Sequence, residues 1–190
     1  HNLGNMYSSG TINNNLEGQI ITNLQYSTSA IRVNDGILNN YGKIFLSNDI
    51  VGNSIELYGN FHNYGNITAI NSYGGGSITV SPPSYYFQKI SNFTNSGIIT
   101  LSGRNNVGII NHGHVYNTGK IVTAANNIPN NFNWAIFNYA NLTNSGIIET
   151  IGSINGSQGI RNFGNLINDP DGKINVLDVD NNIGGFRNEG

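Results

Sequence analysis

Phe93-Thr94-Asn95-Ser96-Gly97-Ile98-Ile99 returns as Val115-Tyr116-Asn117-Thr118-Gly119-Lys120-Ile121 and again as Leu142-Thr143-Asn144-Ser145-Gly146-Ile147-Ile148. Each copy is an apolar residue, Asn two places on, Gly two places after that, and a second apolar residue six positions from the first. The same six-residue step links Ile55, Phe61 and Ile67; Phe87, Phe93 and Ile99; Ile109, Val115 and Ile121; and Ile136, Leu142 and Ile148. A short repeat of this kind decides architecture before any other signal is weighed.

Within a hexad the apolar residue and Asn fall on one face and the intervening residues on the other, as in a short strand. Gly supplies the corner, where a tight bend or a positive φ is costly for a residue with a Cβ. One hexad is too small to bury its own apolar face, so coils must stack and pair strand over strand at about 4.8 Å. The fold class that follows is all-β: a single-domain parallel β-solenoid over residues 1–190. The first hexads begin at Ile31, Ile55, Phe87, Ile109, Ile136, Ile160 and Phe186. They predict about seven three-sided coils with loop excursions, the longest around 13–30 and 71–86.

The Asn positions have a physical rationale. A carboxamide carries two N–H donors and an acceptor oxygen, so stacked side chains can bond coil to coil. One ladder is expected through Asn40, Asn63, Asn95, Asn117, Asn144 and Asn168, and another through Asn2, Asn111, Asn138, Asn162 and Asn188. Phase argues against scattered Asn. The dipeptide Asn-Gly occurs once, at Asn155-Gly156, where random pairing would give roughly five.

Charged residues make up 9% of the chain and the net charge is −2, which gives no electrostatic footprint for nucleic acid. No apolar run approaches the roughly 20 residues of a membrane span, so no membrane insertion by this segment is expected. The chain has no Cys, which fits an exported protein that relies on coil stacking rather than disulfides.

Loops and outward faces supply the candidate contacts. The stretch 71–86 reads as a Tyr-rich flap, with Tyr73, Tyr85 and Tyr86 placed to stack on sugars, and Trp134 follows a second loop. On the first strands an apolar stripe of Ile90, Ile110, Phe137, Tyr139 and Phe163 is expected to face outward, toward the chain's own loops or a partner. His112 and His114 flank Gly113, but two imidazoles without carboxylate support make a weak metal site. Asp169-Pro170-Asp171-Gly172 resembles part of a calcium loop, yet Gly172-Lys173-Ile174 is also the repeat's own Gly-x-Ile step. The column Ile21, Phe45, Thr68, Thr100, Val122, Glu149, Asn175 is too irregular for an ice-binding array. Glycan-cleaving chemistry needs convergent carboxylates, whereas Asp35, Glu56 and Glu149 fall on distant coils. No catalytic residue, metal or cofactor is therefore expected.

The phrases Asn95-Ser96-Gly97-Ile98-Ile99, Gly108-Ile109-Ile110-Asn111, Asn144-Ser145-Gly146-Ile147-Ile148 and Gly159-Ile160-Arg161-Asn162 resemble the repeats of bacterial autotransporter passengers and filamentous-haemagglutinin-like adhesins. The resemblance implies a right-handed β-helix displayed outside the cell. The expectation is a non-enzymatic structural or adhesive surface protein, a segment of an adhesin or of a filament. Its partners would be further solenoid coils or subunits end to end, and surface glycans or cell-surface proteins. The alternatives are a glycan-binding module using the flap at 71–86 and a polysaccharide-degrading β-helix enzyme.

Overall fold

A computed structural model of the chain describes residues 6–24, 29–48, 53–71, 75–82, 89–103, 106–125, 133–151, 157–177 and 185–189. They form a parallel β-solenoid without a helix. One face is a seven-stranded sheet of Gln19–Leu24, Lys43–Asn48, Asn66–Asn71, Ile98–Gly103, Lys120–Ala125, Ile147–Ile151 and Lys173–Leu177. We call it the third face, because it ends each coil. The other two faces share a thirteen-stranded sheet.

The first face begins with Met6–Ser8 and continues through Gly75–Val80, Asn106–Asn111, Asn133–Asn138, Ser157–Asn162 and Phe186–Asn188. The second contains Thr11–Asn14, Asn92–Asn95, His114–Asn117, Asn141–Asn144 and Asn165–Asn168. Two long strands, Ser29–Asn40 and Asn53–Asn63, run through both faces without a break. Every pairing among the described residues is parallel, for example Phe61↔Phe93 and Ile99↔Ile121, and the register shifts at one place, between Asn34 and Ile37.

The core is three aliphatic columns. Ile31, Ile55, Ile78, Ile109, Ile136 and Ile160 stack on the first face; Leu38, Phe61, Phe93, Val115 and Leu142 on the second; Ile44, Ile67, Ile99, Ile121 and Ile148 on the third. All are buried, and each such side chain is worth about 1.5–3 kcal/mol of transfer free energy before entropy is subtracted. Phe61 and Phe93 stack inside the column with centroids 5.2 Å apart.

About five turns have this closed core, fewer than the sequence suggests. In the lowest and highest turns Met6, Ile12, Ile20, Leu166 and Ile174 are only partly buried, because a coil covers them from one side. A second correction concerns the fourth turn. Ile78, not Phe87, occupies the first-face column, paired with Ile55 below and Ile109 above. Ile78-Thr79-Val80 is thus core strand rather than part of a flap, and Phe87 lies outside the described residues. The excursion expected at 13–30 is also mostly strand, since Thr11–Asn14 and Gln19–Leu24 pair upward in register.

Gly is required at the corner after the second face by close approach. A Cβ on Gly97 would lie 2.0 Å from the Gly65 carbonyl oxygen, and one on Gly119 would lie 2.2 Å from that of Gly97. These carbonyls accept the coil-to-coil bonds from Ile98 and Lys120, so the backbones cannot part. Neither Gly97 nor Gly119 adopts the left-handed region, so close approach and not φ is the reason for Gly at these corners. Among the described residues the single positive-φ non-glycine, Asp35 at 56°, marks a bulge where Ser29–Asn40 carries one residue more than its neighbour.

Candidate interaction surfaces

The expected amide ladder is present and one coil longer than anticipated. Asn14 donates through Nδ2 to Asn40 Oδ1, and the same bond repeats to Asn63, Asn95, Asn117, Asn144 and Asn168 at 2.7–2.8 Å. The second ladder runs Asn111, Asn138, Asn162, Asn188 at 2.6–2.7 Å. Asn2 lies outside the described residues. Below Asn111 the same column holds Val33, Leu57 and Val80. These ladders are internal and structural: Asn40, Asn95, Asn117 and Asn144 are at most 1% exposed, so no ligand reaches them.

The expected apolar stripe is only partly assembled. Tyr139 and Phe163 stack at the first corner with centroids 5.1 Å apart and planes within 1°, and His112 continues the stack below Tyr139 at 4.6 Å. Phe137 joins from the strand, parallel to both rings. Arg161 covers the Phe163 face at 4.6 Å, held there by hydrogen bonds to Glu189. Those bonds lower the Glu189 pKa below the usual carboxylate value. Burial likewise pushes the His112 imidazole below its ordinary pKa. The ring faces are therefore spent on one another and on Arg161, leaving mainly edges to solvent.

Ile110 sits beside this cluster, in register with Phe137. Ile90 precedes Asn92–Asn95, and the pairing of His114 with Asn92 puts it at the corner level with His112, where it continues the column of Phe163, Tyr139 and His112 downward.

Trp134 is 4% exposed, set edge-on against Phe137 and lying beneath Arg161. Its ring is packed into the flank and is not available to stack on a sugar. Tyr73, Tyr85 and Tyr86 lie outside the described residues.

A second surface, not anticipated from sequence, is the outer side of the second face. One outward row pairs Asn60, Asn92, His114, Asn141 and Asn165; the next pairs His62, Thr94, Tyr116, Thr143 and Ile167. Between them, over the upper turns, runs an open trough of about 450 Å³. Asn92 donates to Asn60 and Asn165 donates to Asn141, but His114 interrupts that outer ladder. Outward residues in register across variable loops give no periodic signal, so only a correct alignment of coils could have exposed this row.

Charged groups are mostly paired locally. Glu56 meets Arg32 and Tyr58, Lys120 meets Glu149, and Arg161 and Arg187 both meet Glu189. Burial, then the bond to Glu56, raises the Tyr58 pKa. Asp169 accepts from Ser145 at the corner, where Gly172 caps the turn by donating to the Asp169 carbonyl. That segment is the repeat's Gly-x-Ile step with an enlarged corner. No group of three or more His, Cys, Asp or Glu side chains converges among the described residues. The chain matches no known family model, no curated protein and no solved structure.

Proposed function

We propose that this chain is a non-enzymatic structural and adhesive rod of the cell surface, a segment whose coil stack is continued by further coils. The observation that carries this reading is the state of the two ends. Asn165–Asn168, Lys173–Leu177 and Phe186–Asn188 each pair with a strand below and, among the described residues, with none above. Leu166 and Ile174 are half-covered there and Phe186 is 48% exposed. At the other end Met6, Ile12 and Ile20 are half-covered in the same way. Open strand edges over apolar side chains are templates for pairing, and natural proteins cover them or use them. Further coils of the same polypeptide, or of a second copy, would bury both.

The repeat grammar shared with surface adhesins supports display outside the cell. The internal ladders support a rigid rod, since every coil is tied to the next by amide as well as backbone bonds. Sedimentation and electron microscopy of the full chain test the stacking. Expected are elongated particles that lengthen with concentration, and a return to single rods in Ile174→Lys. Single rods at every concentration, with the wild type and Ile174→Lys indistinguishable, would overturn it.

A further inference from the structure

The trough on the second face carries an inference of its own. Phe93 in its floor is buried, whereas the Tyr116 ring is 44% exposed and has no stacking partner among the described residues. The coils above and below place Thr143 and Thr94 at the same register. A large ring between two short side chains leaves its faces open, unlike the self-stacked rings of the first corner. Beside it, the break at His114 leaves two amide groups without a protein partner. Asn92 uses its Nδ2 on Asn60 and the Ile90 carbonyl, so its Oδ1 remains an open acceptor. Asn141 receives the Asn165 bond on its Oδ1, so its Nδ2 remains an open donor.

We propose that this trough binds a neutral linear glycan lying along the rod axis, one sugar ring on the face of Tyr116. A hydroxyl group donates and accepts, which suits an open acceptor and an open donor two coils apart, on either side of His114. The C–H face of a sugar ring suits the negative face of an aromatic ring. No Asp, Glu, Lys or Arg lines the trough, so nothing there would offset the charge of an acidic saccharide. An extended peptide would seek a free strand edge, and the backbone groups of this face are already bonded from coil to coil. The volume lies in the range of about 300–1,000 Å³ usual for ligand sites. The inference gives the adhesive rod a ligand class and takes only its biological setting from that reading. Stacking is read at the ends and binding at the flank, so either can fail alone.

The test is isothermal titration of the full chain, made in a host without N-glycosylation because Asn92 and Asn141 begin N-x-T sequons. The probes are hexasaccharides of β-1,3-glucose, β-1,4-glucose, α-1,4-glucose and β-1,4-N-acetylglucosamine, with hexagalacturonate as the charged counter-probe. At least one neutral probe should bind. Tyr116→Thr, which merely extends the Thr row and should fold normally by circular dichroism, should weaken it by about tenfold. Asn141→Ala should weaken it less, and Tyr64→Ala, at the exposed Tyr41–Tyr64 corner stack, should leave it unchanged. The proposal is overturned if none of the neutral probes binds, if only hexagalacturonate binds, or if Tyr116→Thr and Asn141→Ala both bind as wild type.

Discussion

The lower and upper halves of the rod solve the same corner differently. In the upper turns Asn111, Asn138 and Asn162 stand at the end of the first face, and after each of them the strand stops, bends and restarts. In the lower turns the same column holds Val33 and Leu57, and there the chain continues as single strands of 12 and 11 residues. The amides account for the difference. Asn111 accepts from the Gly113 N–H through Oδ1, and Asn138 and Asn162 donate to the carbonyls of Ala140 and Gly164. A sharp bend exposes backbone groups that a straight strand would have paired, and a buried carboxamide satisfies them. Where the chain does not bend, an aliphatic side chain fills the position equally well. Asn in this repeat is therefore a corner residue first and a ladder residue second.

The largest effect should come from closing the one tolerance both halves lack. Gly119→Ala sets a methyl 2.2 Å from the Gly97 carbonyl oxygen, against backbone atoms of Ser96 and Gly97 in the coil below. The loss should exceed about 4 kcal/mol in urea melts, a mechanism-level disruption rather than a surface change. Gly10→Ala, with nothing within 4 Å of the new Cβ, should stay within about 0.5 kcal/mol. Equal costs at the two sites would show that steric approach is not why the repeat demands Gly.

The two halves can then be exchanged at the first corner. Asn138→Leu removes the donor to the Asn162 amide oxygen and to the carbonyls of Ala140 and Asn165. It should cost about 3 kcal/mol, given roughly 1–3 kcal/mol for each buried polar group left unpaired. Leu57→Asn in the lower half should cost a similar amount, roughly 2–5 kcal/mol for lost burial with an unpaired amide added. A neutral result for Asn138→Leu would mean that the bend holds without its amide.

The smallest difference is electrostatic. His112 stacks under Tyr139, whereas Ser81 holds the corresponding corner position one coil below. Burial lowers the imidazole pKa below its ordinary value of 6.5, so the unfolded chain takes up the proton more readily than the folded one. Its contribution to stability is complete above pH 6.5 and is lost as pH falls from there through the folded pKa. The melting temperature should decline over that window and decline less in His112→Phe. Glu189, whose pKa is lowered by Arg161, adds its own loss only as pH falls below the ordinary carboxylate value of 4.5. A wild-type decline confined to the lower window would remove His112 from the account.

Columns separated by constant steps were legible in the sequence. Ile109, Val115 and Ile121 lie six residues apart and become three buried columns, and the ladder from Asn40 to Asn168 forms as its phase indicates. Ambiguity entered where a loop interrupts the phase. Phe87 and Ile78 both stand a plausible distance before Phe93, and hexad spacing favours Phe87. Coil stacking selects Ile78, which pairs with Ile55 below and Ile109 above. The hexad reading therefore turned a core strand into part of a flap. Trp134 follows a loop in sequence, which leaves its burial open, and the neighbouring Phe137 and Arg161 fold over it. The trough escaped notice because Asn92, His114 and Tyr116 carry no repeat signature and gain meaning only from what lies beside them.

The inner Asn column also has a direction. From Asn14 to Asn168 every Nδ2 points up the rod and every Oδ1 faces down. Inverting one amide would set nitrogen against nitrogen on one side and oxygen against oxygen on the other, so the carboxamide dipoles stay aligned along the axis. The rod is thus a polar object, like a magnet with unlike poles. A like-oriented neighbour continues the series of bonds, and an upside-down one meets its own sign.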